Sequence, residues 1–161
     1  MDIIIRKYTS EDAPAAVKIW NSVVEAADAF PQDEPFSAED GDKFFLSQSY
    51  TAVACDGGEI VGLYILHPNN VGRCGHICNA SYAVRPDMRG RHIGEMLVKH
   101  CIKTARELGF GILQFNAVVK TNTAALALYK KLGFTQLGVI PHGFRLKDGS
   151  YEDIIPHYYV L

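Results

Sequence analysis

Arg89, Gly90, Arg91, His92, Ile93 and Gly94 have the types and spacing of a site for a polyanion. The glycines leave backbone uncovered, and the arginines can add charge-assisted bonds to phosphate. Before them, Tyr82, Ala83 and Val84 end a strand. Arg85-Pro86 breaks it, because the residue before a proline is pushed out of the helical region. After them, Leu97, Cys101, Thr104 and Leu108 recur at helical spacing, and Gly109 is a stop signal. The turn therefore delivers unpaired N–H groups at the positive end of a helix. It reads as a cradle for pyrophosphate; the plainer alternative is an ordinary helix start containing glycine.

Spacing excludes two common phosphate loops. A nucleoside-triphosphatase loop requires Gly-x-x-x-x-Gly-Lys-Ser/Thr, and no Lys-Ser/Thr follows Gly94. A dinucleotide site requires Gly-x-Gly-x-x-Gly at the start of a βαβ unit, whereas this turn has only Gly90 and Gly94 and lies past the middle of the chain. A metal site is also weakly supported. Cys74, His76 and Cys78 alternate and would share a face of a strand, but they lack a fourth ligand. Two buried small residues and a hydrogen-bonded histidine fit that pattern better. Cys55 and Cys101 complete the cysteines, and no disulfide scaffold is indicated.

The elements that must position the turn follow from the rest of the chain. A length of 161 residues bounds a single domain, 1–161, with a proper core. Hydrophobic residues at 48% and charged residues at 21% exclude a disordered chain. A net charge of −2 gives no general pull toward nucleic acid or an anionic membrane. No membrane-spanning run and no signal-peptide layout is present, so a cytoplasmic protein is expected.

Strands are predicted over 3–8, 51–55, 59–66, 75–84, 112–119, 134–139 and 154–161. Asp56-Gly57-Gly58 joins the second and third as a hairpin. Thr9 or Ser10 caps a first helix with Val17, Trp20, Val23 and Val24 on its apolar face, and Ser37 caps a second through Phe45. A third helix follows the cradle, and a fourth runs from Thr121 or Asn122 to Leu132, ended by Gly133. This order predicts an α/β mixed sheet with helices on both faces. Where parallel strands splay at the turn, their free backbone can clasp an extended ligand such as pantetheine.

Arg89-Gly-Arg-His-Ile-Gly94 resembles the Arg/Gln-x-x-Gly-x-Gly/Ala signature of the GCN5-related N-acetyltransferases (GNAT family), with His92 in place of its first glycine. A left-handed residue with a Cβ there costs about 1–2 kcal/mol. A second block resembles the family's other signature through Asn122, Ala125, Leu128, Tyr129, Lys131, Gly133 and Phe134. Three further stretches, 75–84, 114–122 and 138–145, resemble the branch that includes the yeast enzyme acting on the proline analogue azetidine-2-carboxylate.

The resemblance implies a mixed, mostly antiparallel sheet of six or seven strands with splayed central parallel strands. It implies acetyl-CoA as co-substrate without a metal, held by 82–84, 89–94, Asn122, Ala125, Tyr129 and Lys131. The backbone N–H of Val84 or Ala83 is the implied oxyanion donor. Tyr129 is the implied acid toward the CoA sulfur, or else a core aromatic. Asn122 either caps its helix or bonds pantetheine, and Lys131 either meets phosphate or lies in solvent. Asn79 and Asn116 either face the acceptor or satisfy backbone where the strands part.

A general base is not evident; Glu25, Asp28, Asp33, Glu34 or a water are the alternatives. Residues 29–37 and 141–151 are expected to line the acceptor side. The function implied is direct acetyl transfer to a small amine, an amino acid or toxic amino-acid analogue first, by a homodimer. The alternative is a catalytically silent CoA-binding sensor or interaction module, which His92 favours.

Overall fold

The computed structural model describes residues 2–161. Its strands are β1 (Ile4–Lys7), β2 (Tyr50–Asp56), β3 (Glu59–Pro68), β4 (Ile77–Val84), β5 (Ile112–Val119), β6 (Thr135–Gln136), β7 (Ile140–Arg145) and β8 (Tyr151–Val160). The α-helices are α1 (Ala13–Ala26), α2 (Ala38–Ser47), α3 (Ile93–Glu107) and α4 (Thr123–Leu132). One eight-stranded sheet runs β1-β2-β3-β4-β5-β8-β6, with β7 paired to β8 off that path. Only β4 and β5 pair in parallel; the other neighbours are antiparallel.

The mixed sheet is as expected, with more strands than the six or seven implied. The additional strand is β7. Pro141, a left-handed His142 and Gly143 form a bulge that breaks its alternation, and of its side chains only Phe144 is buried. β6 is shorter than predicted, and β8 starts at Tyr151 rather than at 154. Cys74 is a second correction. It sits exposed in a short 3-10 turn before β4 begins, off any shared face with Cys78. No group of metal-ligating side chains occurs among the described residues, nor does a helix long and apolar enough to cross a membrane.

Each face of the sheet carries its own core. Val17, Trp20 and Val24 of α1 and Phe45 of α2 pack on Val53, Leu63, Ile65 and Ala83. Leu97, Val98 and Cys101 of α3 pack on Tyr64, Leu66 and Phe115 on the opposite face, with α4 beside them. Gly62 permits the close approach of α3: a Cβ there would meet Ala83 O at 3.0 Å and Leu97 Cδ1 at 3.2 Å. α1 is anchored at its start by Asp12, which receives both Arg6 guanidinium bonds at 2.8 Å and the Thr9 N–H at 2.9 Å. The Arg6 bonds hold the Asp12 carboxyl below the usual range.

Gly41 sets how α2 lies on α1, because a Cβ there would overlap Val17. Gly41→Ala is expected to cost a net of about 1–2 kcal/mol, overpacking outweighing the gain in helix propensity. The melting temperature should fall by roughly 2–8 °C. An unchanged melting temperature would show that α2 slides freely on α1.

Candidate active site

β4 and β5 pair only at Ile77↔Ile112 and Cys78↔Leu113, then part. A cavity of about 860 Å³ opens between them. Asn122 at the head of α4 and Ala125 and Tyr129 within it close one side, and Trp20, Phe30 and Phe44 the other. The phase of β4 decides which backbone groups face the gap. Arg85 N–H donates to Val61 O at 2.9 Å, so alternation turns Ala83 N–H toward β3 as well. Val84 and Tyr82 N–H then point away from β3, along the unpaired edge, and of the two residues Tyr82 borders the cavity. Of the two oxyanion donors considered, Val84 has its N–H on the unpaired edge, whereas Ala83 is in the β3 ladder and its side chain is buried in the α1 core.

The basic turn sits at the head of α3. None of the N–H groups from Arg89 to Glu95 has an acceptor among the described residues; the first bonded amide is Met96, to His92 O at 3.1 Å. A Cβ built on Gly90 or Gly94 would meet nothing within 4 Å. The concavity is therefore open backbone, and Arg89 and Arg91 stand exposed beside it. Gly90 (φ 78°) and His92 (φ 61°) are both left-handed, so the strain anticipated at His92 is present. This donor set fits a pyrophosphate.

His92→Gly should leave stability within about 1 kcal/mol, since relief of strain is offset by the entropy of an added glycine. It should tighten CoA several-fold in calorimetric titration by letting phosphate approach the backbone. Weaker binding would show that the His92 side chain itself contacts the ligand.

Glu95 ties this turn to α4. Its carboxylate accepts from Lys131 Nζ at 2.7 Å and pairs with Lys99 Nζ at 2.8 Å. Those bonds, Lys131 first, pull its pKa down to about 2. Lys131 thus pairs with Glu95 while its side chain remains largely exposed. The same bridge sets the start of α3 against the end of α4, on the side of the cavity where Tyr129 lies.

Tyr129 lies against Phe115, Phe134 and His157, with ring centroids 4.6, 5.3 and 5.6 Å away. Burial pushes its phenol well above the ordinary range, so it stays protonated at neutral pH. Gly133 (φ 92°) ends the helix, and Phe134 N–H donates to Tyr129 O at 2.9 Å, which fixes the tyrosine's turn. Tyr82 also borders the cavity, but its hydroxyl is buried without a hydrogen-bond partner and faces Cys101, whose thiol burial pushes up to about 12.

Asn122 caps α4, its Oδ1 accepting from Ala125 N–H at 3.3 Å, and it borders the cavity too. Asn79 and Asn116 also line the cavity. Asn79 Oδ1 accepts its neighbour Ala80 N–H at 2.8 Å. Asn116 and Asn69 exchange amide bonds of 2.7 and 3.0 Å. Among the carboxylates, Asp33 and Glu34 border the cavity; Glu25 and Asp28 are not among its lining residues. The loop over 29–37 borders the cavity from Ala29 to Phe36 as expected, whereas none of 141–151 does; sequence reasoning missed Asp40 and Phe44 as cavity residues. Their helical spacing marks them only as cap and core. His157, packed against Tyr129 but not bordering the cavity, is buried, donates from Nδ1 to Ile155 O at 2.7 Å, and leaves Nε2 unpartnered.

A gap between two parallel strands, with an open basic turn at one helix and a phenol on the next, is an arrangement suited to a CoA-dependent acyltransferase. Residues 16–134 match the model of the acetyltransferase (GNAT) family. The chain belongs to that family, whose acyl donor is acetyl-CoA. It is 29% identical over 158 residues to the N-acetyltransferase aca1 of Schizosaccharomyces pombe, covering 86% of this chain and 76% of that one. It is 31% identical to the peptidyl-lysine N-acetyltransferase YjaB of Salmonella typhimurium, covering 86% and 87%. It is 29% identical to the L-methionine sulfoximine/L-methionine sulfone acetyltransferase of Pseudomonas aeruginosa, covering 88% and 85%. A GCN5-related N-acetyltransferase from Kribbella flavida superposes with a TM-score of 0.91 at 30% identity, covering 99% and 98%. The fold of yncA from Salmonella typhimurium, solved with acetyl-CoA, is shared at a TM-score of 0.93 and 20% identity, covering 100% and 95%.

Proposed function

We propose that this chain transfers an acetyl group directly from acetyl-CoA to the amine of a small molecule, an amino acid or amino-acid analogue first. The observation that carries this is the loss of β4–β5 pairing after Cys78↔Leu113, which opens a cavity bordered by the β4 edge from Asn79 to Tyr82 and by Tyr129, with Val84 next along the same unpaired edge. The Pseudomonas relative named for methionine sulfoximine and sulfone supports the amino-acid-analogue class. The cavity is of small-ligand size.

When bound, acetyl-CoA supplies an acyl carbon already activated as a thioester, so the chain has no need of a covalent nucleophile. The turn from Arg89 to Gly94 holds the pyrophosphate, and the free edge of β4 aligns the pantetheine amides. Val84 N–H donates to the carbonyl oxygen as negative charge grows there. Asp33 and Glu34 are the carboxylates at hand to take the proton of the incoming ammonium. The Tyr129 hydroxyl donates a hydrogen bond to the departing sulfur. A phenol held above the thiol range stabilises a thiolate in this way without surrendering its proton for long.

The test is thiol release from acetyl-CoA across a panel of amines, beside calorimetric binding of CoA. Amine-dependent release establishes the transferase. Tight CoA binding with no release for any amine would instead select the sensor reading.

A further inference from the structure

We propose that the acceptor's side chain is uncharged and apolar, aromatic above all, and rests on the wall formed by Trp20, Phe30, Phe36 and Phe44. This rests on the transferase reading above and narrows its substrate. The rings form one continuous surface: Trp20–Phe30 at 4.4 Å, Trp20–Phe44 at 5.7 Å and Phe36–Phe44 at 4.9 Å between centroids. All of them border the cavity.

The wall is fixed in advance. Trp20 Nε1 donates to Gln32 Oε1 at 2.9 Å, Asn21 Nδ2 donates to Phe36 O at 2.9 Å, and Phe36 N–H donates back to Asn21 Oδ1 at 2.9 Å. A surface already ordered loses little entropy when it receives a ligand.

Charge points the same way. No lysine or arginine borders the cavity, while Asp33, Glu34 and Asp40 do. Those carboxylates draw in the cationic amine and repel a second acidic group on the acceptor. An anionic side chain placed against the aromatic wall would lose water without gaining a partner. Arg145 and Lys147 line an adjoining hollow of about 530 Å³ that shares Phe30, Gln32 and Asp33 with the cavity, but neither borders the cavity itself.

The experiment compares kcat/KM for phenylalanine and norleucine with that for glutamate and phosphinothricin. All four carry the same α-carboxylate, so the comparison isolates the side chain. The neutral acceptors are expected to exceed the acidic ones at least 10-fold. Asp40→Lys, at an exposed position, should shrink that ratio at least threefold and leave CoA binding unchanged. Equal or better use of the acidic pair would overturn the proposal and direct attention to Arg145. So would turnover confined to polar amines such as spermidine, which would leave the transferase reading standing. Absence of release with every amine would overturn both.

Discussion

Gly94→Asp should abolish measurable CoA binding while the protein melts no earlier than the parent. Gly94 is the second residue of α3, and a Cβ there would meet no protein atom within 4 Å. Nothing in the fold therefore needs a glycine at this point. Within a helix glycine is the poorer choice, by up to about 1 kcal/mol against alanine. An aspartate at a helix N-terminus gains a further 0.3–1 kcal/mol or so from the dipole. Stability should thus hold or rise. The carboxylate would occupy the same free N–H groups, from Arg89 to Glu95, that are available to a pyrophosphate, and would repel it. A loss of at least about 100-fold in affinity, close to 3 kcal/mol, is expected in calorimetric titration. Undiminished binding in a folded variant would remove the cradle from this turn.

Tyr129→Phe should separate chemistry from binding. The Tyr129 ring makes the packing contacts with Phe115, Phe134 and His157, and phenylalanine keeps that ring. No protein group bonds the hydroxyl among the described residues, so its removal strands no partner and stability should be unchanged. What disappears is the donor to the sulfur. kcat is expected to fall by roughly 10²-fold, at the lower end of what a positioned acid contributes. CoA affinity should stay within about threefold, since that interaction matters only as the carbon–sulfur bond breaks. The elevated pKa of the phenol also means that its ionisation should produce no limb in the pH profile of kcat near neutrality. A variant that turns over as fast as the parent would return Tyr129 to the core.

Much of the scaffold was legible because it rests on local chemistry. Ser37 caps α2 as its position suggests, its Oγ accepting from Asp40 N–H at 3.1 Å. Gly57 and Gly58 are left-handed at φ 55° and 90°, as the Asp-Gly-Gly hairpin demands. The glycine-punctuated turn and Tyr129 stood out through motif spacing.

What stayed hidden depends on phase or on distant partners. Alternation along β4 is visible in the sequence, but the choice between Ala83 and Val84 is set by the bond from Arg85 to Val61. Lys131 finds Glu95 36 residues away, a pairing no local pattern announces. β7 was masked because Pro141 and Gly143 are poor strand residues and only Phe144 turns inward. Phe30 and Phe36 lie in the loop expected to line the acceptor side, but the helical part of the aromatic wall was hidden for a related reason. Trp20 and Phe44 sit at ordinary core spacing on their helices, and the Asn21–Phe36 bonds fold the connecting loop so that the rings meet the cavity.

The short ladder between β4 and β5 divides the molecule into two half-sheets joined along a narrow seam. Amides that would normally lock such a seam are left facing the gap, which makes the line of least cohesion coincide with the place where ligand must lie. A guest that bonds both banks therefore acts as mortar as well as substrate, and its departure returns the protein to a looser state.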